Sequence, residues 1–189
     1  MEPLSLNAAT TALVLIDLQR EIVGRNLAPH SGTDVVQRSA ALASRFRAAQ
    51  AMVVYVRVDL ADLQIPVCDQ PARDPNAPPP PPTASEIVPE AGIQPADALI
   101  TKRQWNAFRG TDLEGQLRTR GVKTVVIGGI ATNFGVESTA RTAAELRFDV
   151  VLVEDVMSSM TADAHRFAIE TIFPRLGRVR VAEQVQLIH

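Results

Sequence analysis

The chain has 189 residues, of which 46% are hydrophobic and 21% charged, with a net charge of −2. That length suits one domain burying about 70% of its unfolded surface, and that composition excludes intrinsic disorder for most of the chain. A balance so near neutrality, without a long run of one sign, lacks the basic footprint of a nucleic-acid binder and argues against binding at a membrane surface.

From the N-terminus, Met1-Glu2-Pro3-Leu4-Ser5-Leu6 has neither a basic start nor an apolar run, so no secretory leader is expected. Residues 11–17 read as a strand, and residues 33–49 as a helix with Val35, Val36, Leu42, Ala43 and Phe46 on its inner face. A second strand spans 52–58. The single cysteine, Cys68, follows it, so no internal disulfide is possible and a reducing cytoplasm fits. Residues 71–82, PARDPNAPPPPP, contain seven of the thirteen prolines. The five at 78–82 favour an extended rod of about 15 Å. This stretch reads as an exposed connection inserted between strands, or as an arm or cover.

A third, weaker strand covers 98–102. Thr111-Asp112-Leu113-Glu114 has the form of a capping box opening a helix, with Gly121 as its stop. A fourth strand, 123–129, runs into the turn Ile130-Ala131-Thr132-Asn133-Phe134-Gly135 and a helix over 136–147 with Ala140, Ala143, Ala144 and Phe148 inward. A fifth strand covers 149–153. Thr161 caps a helix that ends before Pro174, and a sixth strand covers 178–181. Strands one, four and five are almost wholly apolar, as strands covered on both faces are. Repeated strand-then-helix units give an α/β fold with a parallel sheet, in one domain over residues 1–189.

Ligands of such sheets bind beyond the carboxyl ends of the strands, where the strand order reverses. There the chain offers Asp17 with Gln19, Lys102 with Arg103 and Trp105, and Gly128-Gly129 leading into a helix N-terminus. Each also has a plain structural reading: Asp17 as a cap, Lys102 as a solvated lysine, the glycine pair as a close-packing device. The spacing Gly-x-Gly-x-x-Gly of a dinucleotide site is absent. His30, His165 and His189 are scattered, and no zinc-ligand spacing occurs, so neither metal nor cofactor is expected.

These residues resemble the isochorismatase-like hydrolase superfamily, which includes nicotinamidases and other cysteine hydrolases. The likeness lies in Ala12-Leu13-Val14-Leu15-Ile16-Asp17-Leu18-Gln19, in Thr101-Lys102-Arg103-Gln104-Trp105-Asn106-Ala107-Phe108, in Gly128-Gly129-Ile130-Ala131-Thr132-Asn133 and in Val136-Glu137-Ser138-Thr139-Ala140-Arg141, with Asp155 further on. The resemblance implies a three-layer α/β/α sandwich with a six-stranded parallel sheet, usually in homo-oligomers, acting on small molecules. It also implies an Asp–Lys–Cys triad, with Asp17 and Lys102 in the first two places, and a cis peptide at Ile130–Ala131 whose turn forms an oxyanion hole.

The third place holds Gly135, which cannot form a thioester. The nicotinamidase metal site is missing as well, because Asp59-Leu60-Ala61-Asp62 contains no histidine. Isochorismate hydrolases in the superfamily cleave a vinyl ether with an aspartate as general acid, and Asp17 fits that part. Lys102 and Arg103 are then expected to hold substrate carboxylates and Trp105 and Phe108 to wall the pocket. Gln19, Ile130, Ala131 and Asn133 complete the substrate site. The expected function is metal-independent hydrolysis of a small anionic molecule. Ser138 or Thr132 as a substitute nucleophile, and a non-catalytic binding protein that lost its nucleophile, are the alternatives.

Overall fold

In the computed structural model, which describes residues 2–64, 66–74 and 76–189, the elements follow the alternation of apolar runs. Met1 of the N-terminal stretch and Pro75 of the proline-rich stretch lie outside the described residues. The first part of the chain forms β1 (Leu4–Asn7), β2 (Thr11–Ile16), α1 (Arg20–Val23), α2 (Gly32–Ala48) and β3 (Met52–Val58). Then come β4 (Ala98–Lys102), α3 (Leu113–Thr119), β5 (Thr124–Ile130) and α4 (Glu137–Glu145). The last part forms β6 (Asp149–Ser158), α5 (Ala162–Phe167), β7 (Arg178–Arg180) and β8 (Val185–Ile188).

Six strands pair in the order β4-β3-β2-β5-β6-β7, every pair parallel. The two central strands, β2 and β5, are buried at every residue, which is why they read as unbroken apolar runs. Side chains alternate between two cores. Leu13, Leu15, Tyr55 and Val126 face Val35, Leu42 and Phe46 of α2. Ala12, Val14, Ile16 and Ile127 face Leu113 and Leu117 of α3, Ala140 and Ala143 of α4, and Phe173. The result is the expected α/β/α sandwich.

Helix α2 starts with a capping box at Ser31, whose hydroxyl accepts from the Asp34 N–H at 3.1 Å. Thr111 does not build one. Helix α3 begins two residues later, the Thr111 hydroxyl donates back to the Ala107 carbonyl, and Glu114 pairs with Arg118 at 3.5 Å. Strand β6 runs five residues past its expected end, because the register with β5 shifts between Ile127 and Gly129 and accommodates Glu154 and Asp155. A second, two-stranded parallel sheet joins β1 to β8 and was not foreseen. In the proline-rich stretch Pro81 is extended (φ −63°, ψ 153°), but Pro82 already opens a short 3-10 turn, so the rod is shorter than five prolines.

Phe46 is fully buried between α2 and the sheet. Phe46→Ala is expected to cost about 3–5 kcal/mol in urea unfolding, against less than about 0.5 kcal/mol for a change at an exposed site.

Candidate active site

Strand order reverses between β2 and β5, and the carboxyl ends of these two strands open into a cleft of about 550 Å³. Asp17 directly follows β2 in the left-handed region (φ 54°), a conformation Asp tolerates better than most residues. Its N–H still donates to the Val56 carbonyl at 2.8 Å, so the strand ladder fixes the residue while the turn redirects its side chain. Lys102 ends β4, with β3 lying between β4 and β2. Its Nζ reaches Asp17 Oδ2 at 2.8 Å and donates to the Trp105 carbonyl at 2.7 Å.

The pair is withdrawn from water: the side chains are 1% exposed for Lys102 and 8% for Asp17. Burial raises the Asp17 carboxyl above its usual range, and it outweighs the Lys102 ammonium, which pulls the other way. Among the described residues Asp17 Oδ1 has no hydrogen-bond partner. A carboxyl with a raised affinity for protons and one oxygen uncommitted is suited to acid–base work.

Gly135 closes the third side. An ideal Cβ built there would lie 3.0 Å from Lys102 Nζ, 3.1 Å from Ile16 Cγ2 and 3.2 Å from Asp17 Oδ2. The residue belongs to a wide π-type turn, Thr132–Val136, that follows the cis peptide Ile130–Ala131. The Phe134 and Val136 N–H groups donate to the Ala131 carbonyl and are therefore committed. Gly129 upstream is a close-packing glycine: its φ is +120°, and a Cβ there would stand 2.1 Å from the Ile16 carbonyl oxygen.

Ile130, Ala131 and Trp105 also line the cleft, with Trp105 against Phe134 at a ring-centroid distance of 4.9 Å. Four expected substrate contacts do not reach it. The Gln19 side chain is buried and bonded to both the N–H and the carbonyl of Val58. Arg103 turns to Asp62 in an exposed ion pair at 2.5 Å. Phe108 lies in the core against Phe148. Asn133 Oδ1 accepts from the Ser159 hydroxyl. Asp155 also faces elsewhere, accepting from the Ala182 N–H.

Sequence reasoning missed Arg25, Arg73, Phe134 and Met160, which line the cleft. Only Phe134 carried a signal, since it sits in the turn already singled out. It also missed His165. This histidine is buried and its Nδ1 stands 2.9 Å from Thr132 Oγ1, so Thr132 does have an imidazole beside it. Thr132 is itself fully buried and outside the cleft, which makes the contact a brace for the turn. Ser138 and Cys68 border an adjoining cavity instead. Among the described residues no group of three or more His, Cys, Asp or Glu is placed to hold a metal ion, and no helix is long and apolar enough to cross a membrane.

The Isochorismatase domain family model matches residues 11–184. The isochorismatase family protein YecD of Escherichia coli O157:H7 is 45% identical over 190 residues, covering 96% of this chain and 97% of its own. YwoC of Bacillus subtilis (strain 168), of the same family description, is 43% identical over 187 residues, covering 97% and 96%. The solved structure of an isochorismatase family protein from Burkholderia thailandensis superposes with a TM-score of 0.89 at 46% identity, over 98% of this chain and 97% of that one.

Burial, with the neighbouring His30 as a lesser cause, lowers the His165 pKa to about 4. Glu154 is its other titratable neighbour, 3.9 Å from Nε2. The unfolded imidazole takes up its proton near 6.5 and the folded one only near 4, so this contribution to stability is complete above pH 6.5 and is lost as pH falls toward 4. Its full size is about 3 kcal/mol. Asp17 acts in the opposite sense, because its raised pKa makes stability fall as pH rises above 3.8. In urea titrations His165→Gln is therefore expected to flatten the loss of stability between pH 6.5 and 4.5; an unchanged slope removes the assignment.

Proposed function

The chain belongs to the isochorismatase family of hydrolases, and on that premise we propose that it hydrolyses a small anionic molecule through Asp17 as general acid and base, without a cysteine nucleophile. The observation that carries this reading is the buried Asp17–Lys102 contact facing the bare Gly135 backbone at the floor of the cleft. With no sulfur at position 135, no covalent intermediate forms there, and a water molecule must be the nucleophile.

A vinyl ether suits that chemistry. Protonated Asp17 gives its proton to the terminal vinyl carbon, and the ether oxygen shares the positive charge that develops on its neighbour. Water adds to the carbon that bears the ether oxygen and returns a proton to the Asp17 carboxylate. Asp17 passes that proton to the ether oxygen as the hemiketal C–O bond breaks and takes up the hydroxyl proton, so an alcohol and a carbonyl compound leave and Asp17 ends protonated. Burial keeps Asp17 protonated to a higher pH than an ordinary carboxyl, which is what a general acid near neutrality needs. Lys102 orients the carboxyl through its Oδ2. The turn over residues 131–135 stands at the positive end of α4, and in this reading that dipole, rather than the committed Phe134 N–H, favours a substrate carboxylate or a developing oxyanion. Independence of metal, assembly into homo-oligomers and a cytoplasmic setting belong to the same proposal.

A second reading, favoured by the glycine itself, is a binding protein that kept the cleft and lost its nucleophile. The test is turnover of a panel of small vinyl-ether, ester and amide carboxylic acids by the wild-type chain and by Asp17→Asn. Turnover of a vinyl ether that drops about 10²–10⁴-fold in Asp17→Asn is expected, and an unchanged rate sinks the role of Asp17. Gly135→Cys separates the two readings. Amide hydrolysis that appears only in this variant, with no wild-type turnover of any panel member, supports the disarmed binding site.

A further inference from the structure

The proline-rich stretch forms part of the cleft wall: Pro71, Ala72, Arg73 and Pro80 all border the cavity that holds Asp17, Lys102 and Gly135. Arg73 is the charged residue among those four. The guanidinium is anchored at one corner, where Nη1 donates to the Leu60 carbonyl at 3.1 Å. Its Nε–H is buried and meets no acceptor among the described residues. The Nε side of a guanidinium is one of the edges that grip a carboxylate with two parallel hydrogen bonds. A half-buried guanidinium that borders the cavity, held at one corner and with donors still unspent, is therefore prepared for an acceptor that enters the cleft.

Arg25, in the loop after α1, borders the same cavity. Among the described residues its guanidinium has no hydrogen-bond or ion-pair partner. Glu21, one turn earlier and also on the cavity wall, is not within ion-pair reach of it. Arg25 is near enough to the floor for its charge to act on Asp17. The other ionisable groups of the cavity, Asp17 and Lys102, meet at 2.8 Å on its floor and together add no negative charge, being neutral as a pair when Asp17 is ionised and positive when it is protonated. The two arginines thus give the mouth a positive bias that Glu21 only partly offsets.

We propose that Arg73, carried by the proline-rich wall, and Arg25 form a guanidinium pair that binds a carboxylate of the substrate and selects small organic acids over their neutral amides. This rests on reading the cleft as the substrate site and adds which residues recognise the anion. It also gives the proline-rich stretch a task. Prolines restrict the unfolded chain, so holding Arg73 at the mouth costs less entropy than a glycine- or serine-rich loop of equal length would demand.

The experiment is isothermal titration of the full chain with benzoate and isophthalate, each beside its carboxamide, at low and physiological salt. The carboxylates are expected to bind roughly tenfold tighter than the carboxamides, with the margin shrinking as salt rises. Arg73→Gln and Arg25→Gln are each expected to weaken the carboxylates roughly fivefold and leave the carboxamides unmoved, whereas Glu21→Gln tightens the carboxylates. Carboxylates that do not bind, that bind no better than the amides, or that bind both arginine variants as they bind wild type overturn the proposal. Arg25 is exposed, so its variant keeps the test open should Arg73→Gln fail to fold. Binding is read without turnover. A chain that grips carboxylates but hydrolyses nothing therefore loses the catalytic reading alone, and one that turns over substrate with both arginines replaced loses this inference alone.

Discussion

The site depends on one buried ion pair. Asp17 and Lys102 are separated by a strand in the sheet, and each gives up nearly all its contact with water to meet the other. Such pairs rarely add stability, because the attraction seldom repays the desolvation of both charges. The sheet makes the arrangement tolerable. Strand ends fix both backbones, and the Trp105 carbonyl satisfies a further donor of the ammonium. What the arrangement supplies in return is chemical: a carboxyl pushed toward its protonated form by burial, beside a cation that still fixes its orientation. Had Lys102 stopped at the surface, Asp17 would lie beside an open strand end with nothing to hold its geometry.

The turn opposite the pair is built for closeness. Gly129 lets β5 lie against β2 where any side chain would strike the Ile16 backbone, and this delivers residues 131–135 to the ion pair. Behind the turn, His165 meets Thr132 and Ser159 meets Asn133, so its polar side chains are tied to the segment that follows β6 rather than offered to the cleft. The turn therefore presents backbone and the apolar side chains of Ala131 and Phe134 to the cleft. Gly135 offers backbone alone, and the surrounding contacts are tight enough that even a methyl group there would touch lysine, isoleucine and aspartate together.

How much of this could be read from the chain follows from what burial writes into sequence. The central strands were legible because double-sided burial leaves unbroken apolar runs at residues 11–16 and 124–130. Asp17 and Lys102 were legible because polar residues at strand ends stand out against those runs, whereas the place of Gly135 beside them was legible only through the resemblance to the isochorismatase-like superfamily. Gln19 and Phe108 sit in the same motifs, yet their side chains serve the backbone and the core; a motif marks position in the chain and does not say which way a side chain points. Strand β1 was illegible because four half-alternating residues say little until β8, some 180 residues away, is there to pair with them. Arg25 and Arg73 lay in loops with no periodicity at all, and only the folded chain brings them to one cavity.

Floor and rim then divide the labour by dielectric. At the floor, charges are desolvated and paired, so their interactions are strong, short-ranged and little affected by salt. Proton transfer belongs there, since it requires a fixed geometry and a tuned carboxyl. At the rim, Arg25 is exposed and Arg73 half-buried, and their field reaches into water, where ionic strength screens it. Recognition of an incoming anion belongs there, since it must act before water is excluded. An anion drawn to the rim also bears on the floor: a negative charge held near Asp17 raises its proton affinity further, in the same direction as burial. Substrate charge and fold would thus push the carboxyl the same way, and the acid would be most fully armed when the site is occupied.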